Sequence, residues 1–426
     1  MLETLGKAWK IPDIRQKMVF TLLMLVVFRL GSNIPVPGID RSVLADVFEG
    51  QGLFELFNLF SGGAFQNFTI FALSITPYIT ASIIINLLTI AVPYLENLAK
   101  EGMEGRKKMT QITRYLTVVL ALLQAIGFTF GLFRSAVTDD RIFTKIVIIF
   151  CLTAGTAFLM WLGEQINEFG VGNGISLIIF AGIVCRAPSA VSSALTSYKG
   201  GDVSMISLVL FCVFAIAVIV GIVLVQQGQR RIPVQYAKRV VGRKMYGGQN
   251  THIPIKVNQA GVIPVIFGLS ILQFPLTITY FFPGGKLEAF MNKWLSPTST
   301  NPSDPGVWIY VALDAILIFF FTYFYTAITF NPVDVAENMR ANGGFVPGIR
   351  PGRPTIEYLN TVMMRVTFVG AVFLAAIASL PYLIQMATNL QIRFGGTALL
   401  IAVGVALDTM KQIENQMVMR NYRGFL

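Results

Sequence analysis

The segment VSMISLVLFCVFAIAVIVGIVLV, residues 203–225, runs for 23 positions without a charged side chain. As a helix it would rise about 35 Å, more than the roughly 30 Å of hydrocarbon in a bilayer. Runs of this kind recur along the whole chain. Lipid offers no partner to a backbone N–H or C=O, so such segments must bond internally as helices or close into a barrel. A barrel needs strands of about 10 residues that alternate apolar and polar, and these runs are apolar on every face. Composition agrees: 54% of residues are apolar and 13% charged, whereas a soluble domain carries about 25% charged residues. The fold class expected is an all-α polytopic membrane protein.

Ten spans are expected, near residues 18–34, 69–92, 115–133, 142–163, 171–186, 203–225, 260–282, 307–330, 362–384 and 396–410. The first is followed by PVPGID without a small-residue cleavage pattern and reads as a retained helix. A further stretch, LFELFNLFSGGAF (53–65), is too short to cross and is broken by Gly62 and Gly63, which marks a half-helix or re-entrant segment. Loops on the amino-terminal side carry about 23 Lys and Arg, and those on the opposite side about 8. By the positive-inside rule both termini are cytoplasmic, and the net charge of +11 is mostly a topology signal. Cys151, Cys185 and Cys212 lie in apolar runs and read as small buried hydrophobes. With a single histidine, His252, a Cys/His metal cluster is not expected, and no cofactor is.

Ten spans divide into five and five. Because five is odd, the second half starts from the opposite face, which is the layout of an inverted repeat. Span two carries SITPYI (74–79) where span seven carries GVIPVI (261–266), and spans five and ten both read as short and glycine-led. Proline inside a span frees a carbonyl and glycine-rich starts leave amides unpaired, so these helices should face protein or a watery cavity. The path is therefore placed between spans two, five, seven and ten. Along it lie isoleucines at helical spacing: Ile79 and Ile83 after Pro77, Ile175 and Ile179 after GNG, and Ile266 after Pro264. Together they would form a constriction that excludes water and ions, although ordinary helix packing explains any single one.

An ion-coupled transporter keeps charged groups at mid-membrane. The candidates are Arg29, Lys145, Asp314 and Asp408, each expected within about two turns of a span end with its head reaching the interface. Neither HExxH nor a P-loop pattern occurs, and no enzyme activity is expected. An inverted-repeat secondary transporter for a small solute stands as the alternative to a channel. Residues 226–258 hold seven cations and no acid around a Gly-Gly turn, which predicts a protruding hairpin. Residues 331–355 have the Gly/Pro punctuation of a shaped loop. Basic projections of this kind suit RNA phosphates, an acidic protein or anionic lipid.

The stretches FRLGSNIPVPGID, TPYITASIIINLL, EGMEGRKKMTQITRY, GVGNGISLIIFAGI, QRRIPVQYAKR, THIPIKVNQAGVIPVIF, NPVDVAENMRANGGFVPGIRPG and FGGTALLI occur in this order across the chain. With them the chain resembles the SecY family, the central channel subunits of bacterial protein translocases, from end to end. The resemblance implies two five-helix halves, residues 1–190 and 191–426, hinged near 187–202. It implies a pore ring of Ile79, Ile83, Ile175, Ile179, Ile266 and Ile401, the last entering through the family match. It implies a plug at about 53–65 with Phe54, Leu56, Phe57, Leu59, Phe60, Gly62 and Gly63. A lateral gate between spans two and seven would hold Thr76, Pro77, Thr80, Asn86, Pro264, Phe267, Gln273 and Phe274. Cytoplasmic loops 226–258 and 331–361 would meet partners through Arg239, Arg243, Lys244 and Arg350. The partners implied are the small SecE and SecG subunits, the SecA motor ATPase, the ribosome, an unfolded signal-bearing polypeptide and anionic phospholipid, in the inner membrane of a bacterium. Two residues depart from the family pattern: glycine is commoner at Ser74 and glutamine at Asn86, both on the gate helix.

Overall fold

A computed structural model describes residues 2–40, 61–133, 136–139, 141–200, 205–236, 239–241, 244–246, 250–279, 285–295, 305–388 and 396–423. Helices occupy all ten apolar segments. They are α2 (Pro12–Gly31), preceded by a short α1 (Leu2–Trp9), then α3 (Thr76–Ala91), α5 (Met103–Gly127), α6 (Ile142–Phe169), α7 (Gly174–Gly200) and α8 (Met205–Gln227). In the later part follow α9 (Ile263–Thr279), α11 (Pro305–Thr329), α13 (Arg353–Thr388) and α14 (Gly396–Arg423). Shorter helices α4 (Pro93–Lys100), α10 (Lys286–Trp294) and α12 (Pro332–Ala341) connect them. Among the described residues five helices are long and apolar enough to cross a membrane, or six if α3 and α4, bent by 99° at their junction, count as one.

Several boundaries differ from the sequence expectation, each for a physical reason. Span two was expected from residue 69, but α3 begins at Thr76, and residues 61–75 form buried turns with positive φ at Phe68 (43°) and Ser74 (53°). Pro77 sits in the first turn of α3, where its missing N–H would have had no helical partner, so it starts this helix rather than interrupting it. Pro264 stands likewise directly after the first residue of α9. Among the described residues the prolines inside helices are Pro188, Pro275 and Pro381. The expected loop at 187–202 is helical as far as Gly200. Spans five and ten are both led by glycine; the apolar part of α7, Gly174–Ser189, is short although the helix runs for 27 residues, whereas α14 runs for 28 and is apolar enough to cross. In α14 the polar continuation KQIENQMVMR is built of strong helix formers and extends the helix past the apolar stretch.

The hairpin expected in 226–258 is present. Strand β1 (Gln229–Tyr236) pairs antiparallel with β4 (Asn250–Lys256), with Ile232 opposite Ile253. A smaller pair, β2 (Arg239–Val241) and β3 (Lys244–Tyr246), reverses between Val241 and Lys244; Gly247 and Gly248 lie outside the described residues. The second loop joins the same sheet: β5 (Gly344–Phe345) pairs with the end of β1. Its helix α12 is capped by Asn331, whose side chain accepts from the Val333 N–H. Ile232, Val234 and Ile255 then bury against Ala336, Met339, Val346 and Leu359, so the two loops share one small core.

The main core gathers residues of α2, α3, α6, α7, α8, α9, α11, α13 and α14. A second core packs the turns of 61–75, through Phe65, Phe68 and Leu73, against Ala121 and Phe128 and against Ile148 and Leu152 of α6. Irregular backbone at this depth is tolerated because protein encloses it.

Candidate functional site: an aliphatic closure where four helices begin

Four helices contribute aliphatic side chains from about their first two turns to the main core. Ile79 and Ile83 of α3, Ile179 of α7, Ile266 of α9 and Ile401 of α14 are each no more than 5% exposed and belong to one contiguous cluster, with Ile175 packed against it. All six isoleucines expected at the pore ring thus lie in or against the main apolar core, which also holds residues of five further helices.

Local chemistry fixes these starts. At α7, Gly172 takes φ +91°, a left-handed conformation that suits glycine. The Asn173 side chain then accepts from the Ile175 and Ser176 N–H groups at 3.1 and 3.2 Å, and Asn167 Oδ1 accepts from the Gly174 N–H at 2.8 Å. The amides that a helix start exposes are so satisfied without water. At α9 the Asn258 side chain donates to the Gly261 carbonyl at 2.9 Å, just before the first turn. At α3 the Thr80 hydroxyl donates back to the Thr76 carbonyl at 3.1 Å.

Helices α3 and α9 pack against each other, as do α7 and α14. Of the residues expected at the seam between α3 and α9, Thr76, Pro77, Thr80, Pro264, Phe267 and Gln273 are buried and Asn86 is half-buried. Phe274 departs from the group, being 44% exposed and turned out of the packed interior. Phe267 meets two rings edge to face, Phe321 at 5.7 Å and Tyr325 at 5.1 Å. Asn86 Nδ2 donates to Tyr325 Oη at 3.2 Å. Sequence reasoning missed Tyr325 and Phe321; the aromatic run FFFTYFY (319–325) was the available signal.

Of the expected plug, Phe54, Leu56, Phe57, Leu59 and Phe60 lie outside the described residues. Gly62 and Gly63 are described. A Cβ on Gly62 would stand 2.8 Å from the Gly182 backbone of α7, and its φ is +63°, so only glycine fits this crossing. The Gly62 carbonyl accepts from Arg29 Nη1 of α2 at 3.2 Å. The chain at Gly62 is held between α2 and α7.

The four intramembrane charges divide. Lys145 lies 5.3 Å from the Phe130 ring centre, and Asp408 is exposed. Asp314 does not reach an interface: it is 1% exposed, and a Cβ on Gly268 of α9 would come 3.6 Å from its Oδ1. Its position on the face of α11 that packs against α9 explains the difference. On the loops, Arg239 stands on β2, Lys244 on β3, and Arg350 is exposed beyond β5; Arg243 lies outside the described residues.

A cluster of isoleucines closing on itself excludes water and ions, presents no nucleophile, and yields by side-chain and helix displacement. That chemistry suits passage of something large and variable rather than binding of one small solute.

Comparison with known proteins agrees with this geometry. The family model described as SecY matches residues 69–410. A protein translocase subunit SecY of Mycobacterium tuberculosis is 46% identical over 445 residues, covering 100% of both chains. One from Halalkalibacterium halodurans is 48% identical over 437 residues, again covering 100% of both. Among solved structures, a protein conducting channel aligns with a TM-score of 0.68 at 21% identity, over 95% of this chain and 93% of that one. Sec61 from a canine ribosome-channel complex aligns at 0.65 and 20% identity, with the same coverage.

Proposed function

The chain belongs to the SecY family, and from that membership we propose that it is the protein-conducting channel of a translocase, passing unfolded polypeptides across a membrane and releasing hydrophobic segments sideways into lipid. The observation that supports the reading is that Ile79, Ile83, Ile175, Ile179, Ile266 and Ile401, from four helix starts, all lie in or against one apolar core, as a dry closure would require. The small-solute transporter reading finds no support in the relatives or in the site.

The ten helices then form two inverted five-helix halves, α2 to α7 and α8 to α14. The seams between α3 and α9 and between α7 and α14 bring one half against the other. At rest the plug segment seats against the isoleucine ring from outside. The sheet of β1, β4 and β5 and the pair β2 and β3 face the cytoplasm, as do both termini. There Arg239, Arg243, Lys244 and Arg350 meet the ribosome or a motor ATPase. SecE, SecG and anionic lipid complete the assembly in the plasma membrane of a bacterium. No catalytic step is assigned to the chain.

A partner shifts the halves toward the open arrangement only if it binds that arrangement more tightly. An unfolded chain then threads the ring. Sideways release follows partitioning: about 20 apolar residues at roughly −0.5 kcal/mol each favour lipid by on the order of 10 kcal/mol, while each central Arg or Asp costs about 3 kcal/mol. Apolar segments leave between α3 and α9, and polar chain passes on.

The test is transport by the reconstituted channel complex in vesicles. Signal-bearing unfolded polypeptide should become protected from external protease when motor and ATP are added. Saturable, gradient-driven uptake of a small solute without polypeptide transport would overturn the reading.

A further inference from the structure

Resting on the channel reading, we propose that the short helix α10 lies in the interface between lipid and water and anchors the far end of the gate helix α9 there. Strand β4 leads into the start of α9, whereas α10 follows its end at Thr279, so α10 belongs to the end of α9 opposite the loop sheet. It packs against both α9 and α11. A Cβ at Gly306 would collide with the Lys293 carbonyl, so the start of α11 meets the last turn of α10 backbone to backbone. That turn is closed by the Leu295 N–H, which donates to the Met291 carbonyl at 2.7 Å. The helix is thereby fixed to the ends of two membrane-spanning segments.

Its side chains select a lipid surface as the occupant. Phe290 is 54% exposed, its ring centre lies 6.5 Å from that of Trp294, and Lys293 Nζ stands 5.7 Å from the Trp294 ring. Two of the chain's four tryptophans, Trp294 and the exposed Trp308 of α11, lie at this junction. Aromatic rings beside a lysine settle at headgroup level, with ring bodies toward the acyl chains and polar groups in water. A helix of nine residues leaves its terminal amides and carbonyls in need of water and cannot sink into hydrocarbon, while the exposed ring of Phe290 opposes lifting away from it. Exposed apolar side chains continue onto α9 at Phe274 and Ile278. Pro275, inside α9 and four residues before its end, removes the N–H that would bond the Ile271 carbonyl and provides a point of bending. With the far end fixed, α9 parts from α3 by swinging residues 263–274 about Pro275 rather than by moving as a free rod. A signal segment works against that fixed end, so the anchor raises the hydrophobicity it needs.

The experiment uses the complete channel complex in vesicles of zwitterionic and anionic phospholipid. With Cys151, Cys185 and Cys212 replaced, a nitroxide is attached at Phe290→Cys or at Lys293→Cys and its access to oxygen, which enters lipid, is compared with access to a water-soluble nickel chelate. At Phe290 the oxygen-to-nickel ratio should exceed that of a label at Arg230 on β1 severalfold and fall below that of a label at Val213 on α8; at Lys293 it should lie between the values at Arg230 and Phe290. A Phe290 ratio equal to that at Arg230 places the helix in water, and exclusion of both reagents places it under protein; either overturns the proposal. In the same complex, translocation of weak signals relative to strong ones should rise roughly fivefold in Phe290→Asp, the worth of about half the burial of one phenylalanine, and stay unchanged in Phe290→Trp. An unchanged ratio in Phe290→Asp, or an equal rise in Phe290→Trp, overturns the anchor while leaving the channel intact. Failure of the unaltered complex to translocate even strong signals overturns the channel reading, and with it the role in gating, while the nitroxide readout still decides where α10 lies.

Discussion

Ser74 shows how one residue records the demands of the site. It is 3% exposed and holds φ at +53° two residues before α3 begins, in a region of backbone space that a Cβ makes unfavourable. The glycine that the family resemblance implies at this position would adopt that geometry without strain. Ser74→Gly should raise thermal stability by up to about 1 kcal/mol, the backbone gain being reduced by loss of the buried hydroxyl's interactions. A loss of more than 1 kcal/mol in a melting measurement would show that the side chain outweighs the backbone. The ring isoleucines make the complementary case. Ile83 and Ile266 are 2% and 5% exposed, and an asparagine at either leaves a polar group without a partner unless water enters the closure. Ile83→Asn and Ile266→Asn should therefore increase ion leak through the resting channel about tenfold and admit poorer signal sequences. Unchanged leak and unchanged selectivity would count against the ring.

At the scale of the element, the loop sheet is the part proposed to meet partners, and it is packed on α12 and the start of α13 rather than on the main core. Its strands join the two loops in one small core, and β4 ends seven residues before α9 begins. Charge reversal of Arg239 and Arg243 together should weaken ribosome or motor binding by tenfold or more at low salt, with the difference shrinking as salt rises. Equal affinities at low salt, measured by co-sedimentation, would remove these residues from the contact. The hairpin was legible because β-branched residues flank a turn, and the helices were legible because their apolar runs have no other use. Element starts were less so. Pro77 and Pro264 read from sequence as prolines inside spans, whereas the helices begin only at Thr76 and Ile263 and so place both in first turns. Beyond the apolar part of α14 no membrane signal marks how far the helix runs, since helix propensity carries it on. Asp314 was misplaced because a sequence gives its depth in a span and not which face of α11 meets α9.

Across the whole molecule one device recurs in sequence. SITPYI and GVIPVI lead α3 and α9, and glycine leads α7 and α14, so in the proposed inverted repeat each half would contribute two helix starts to the closure. The isoleucines could be found one by one from spacing, except Ile401, because i and i+4 neighbours share a face within a helix. That they meet required the packing of four helices distant in sequence. Tyr325 belongs to the same limit, since its bond to Asn86 joins positions 239 residues apart. The central claim is that polypeptide passes through this meeting point. The direct measurement replaces Cys151, Cys185 and Cys212, places one cysteine at Ile79 or Ile83, and tests crosslinking to a single cysteine in a stalled secretory chain. The account predicts a crosslink that requires a functional signal sequence and is absent from a lipid-facing position on α8, such as Val213. No crosslink from either ring position while the stalled chain is engaged at the membrane would contradict it.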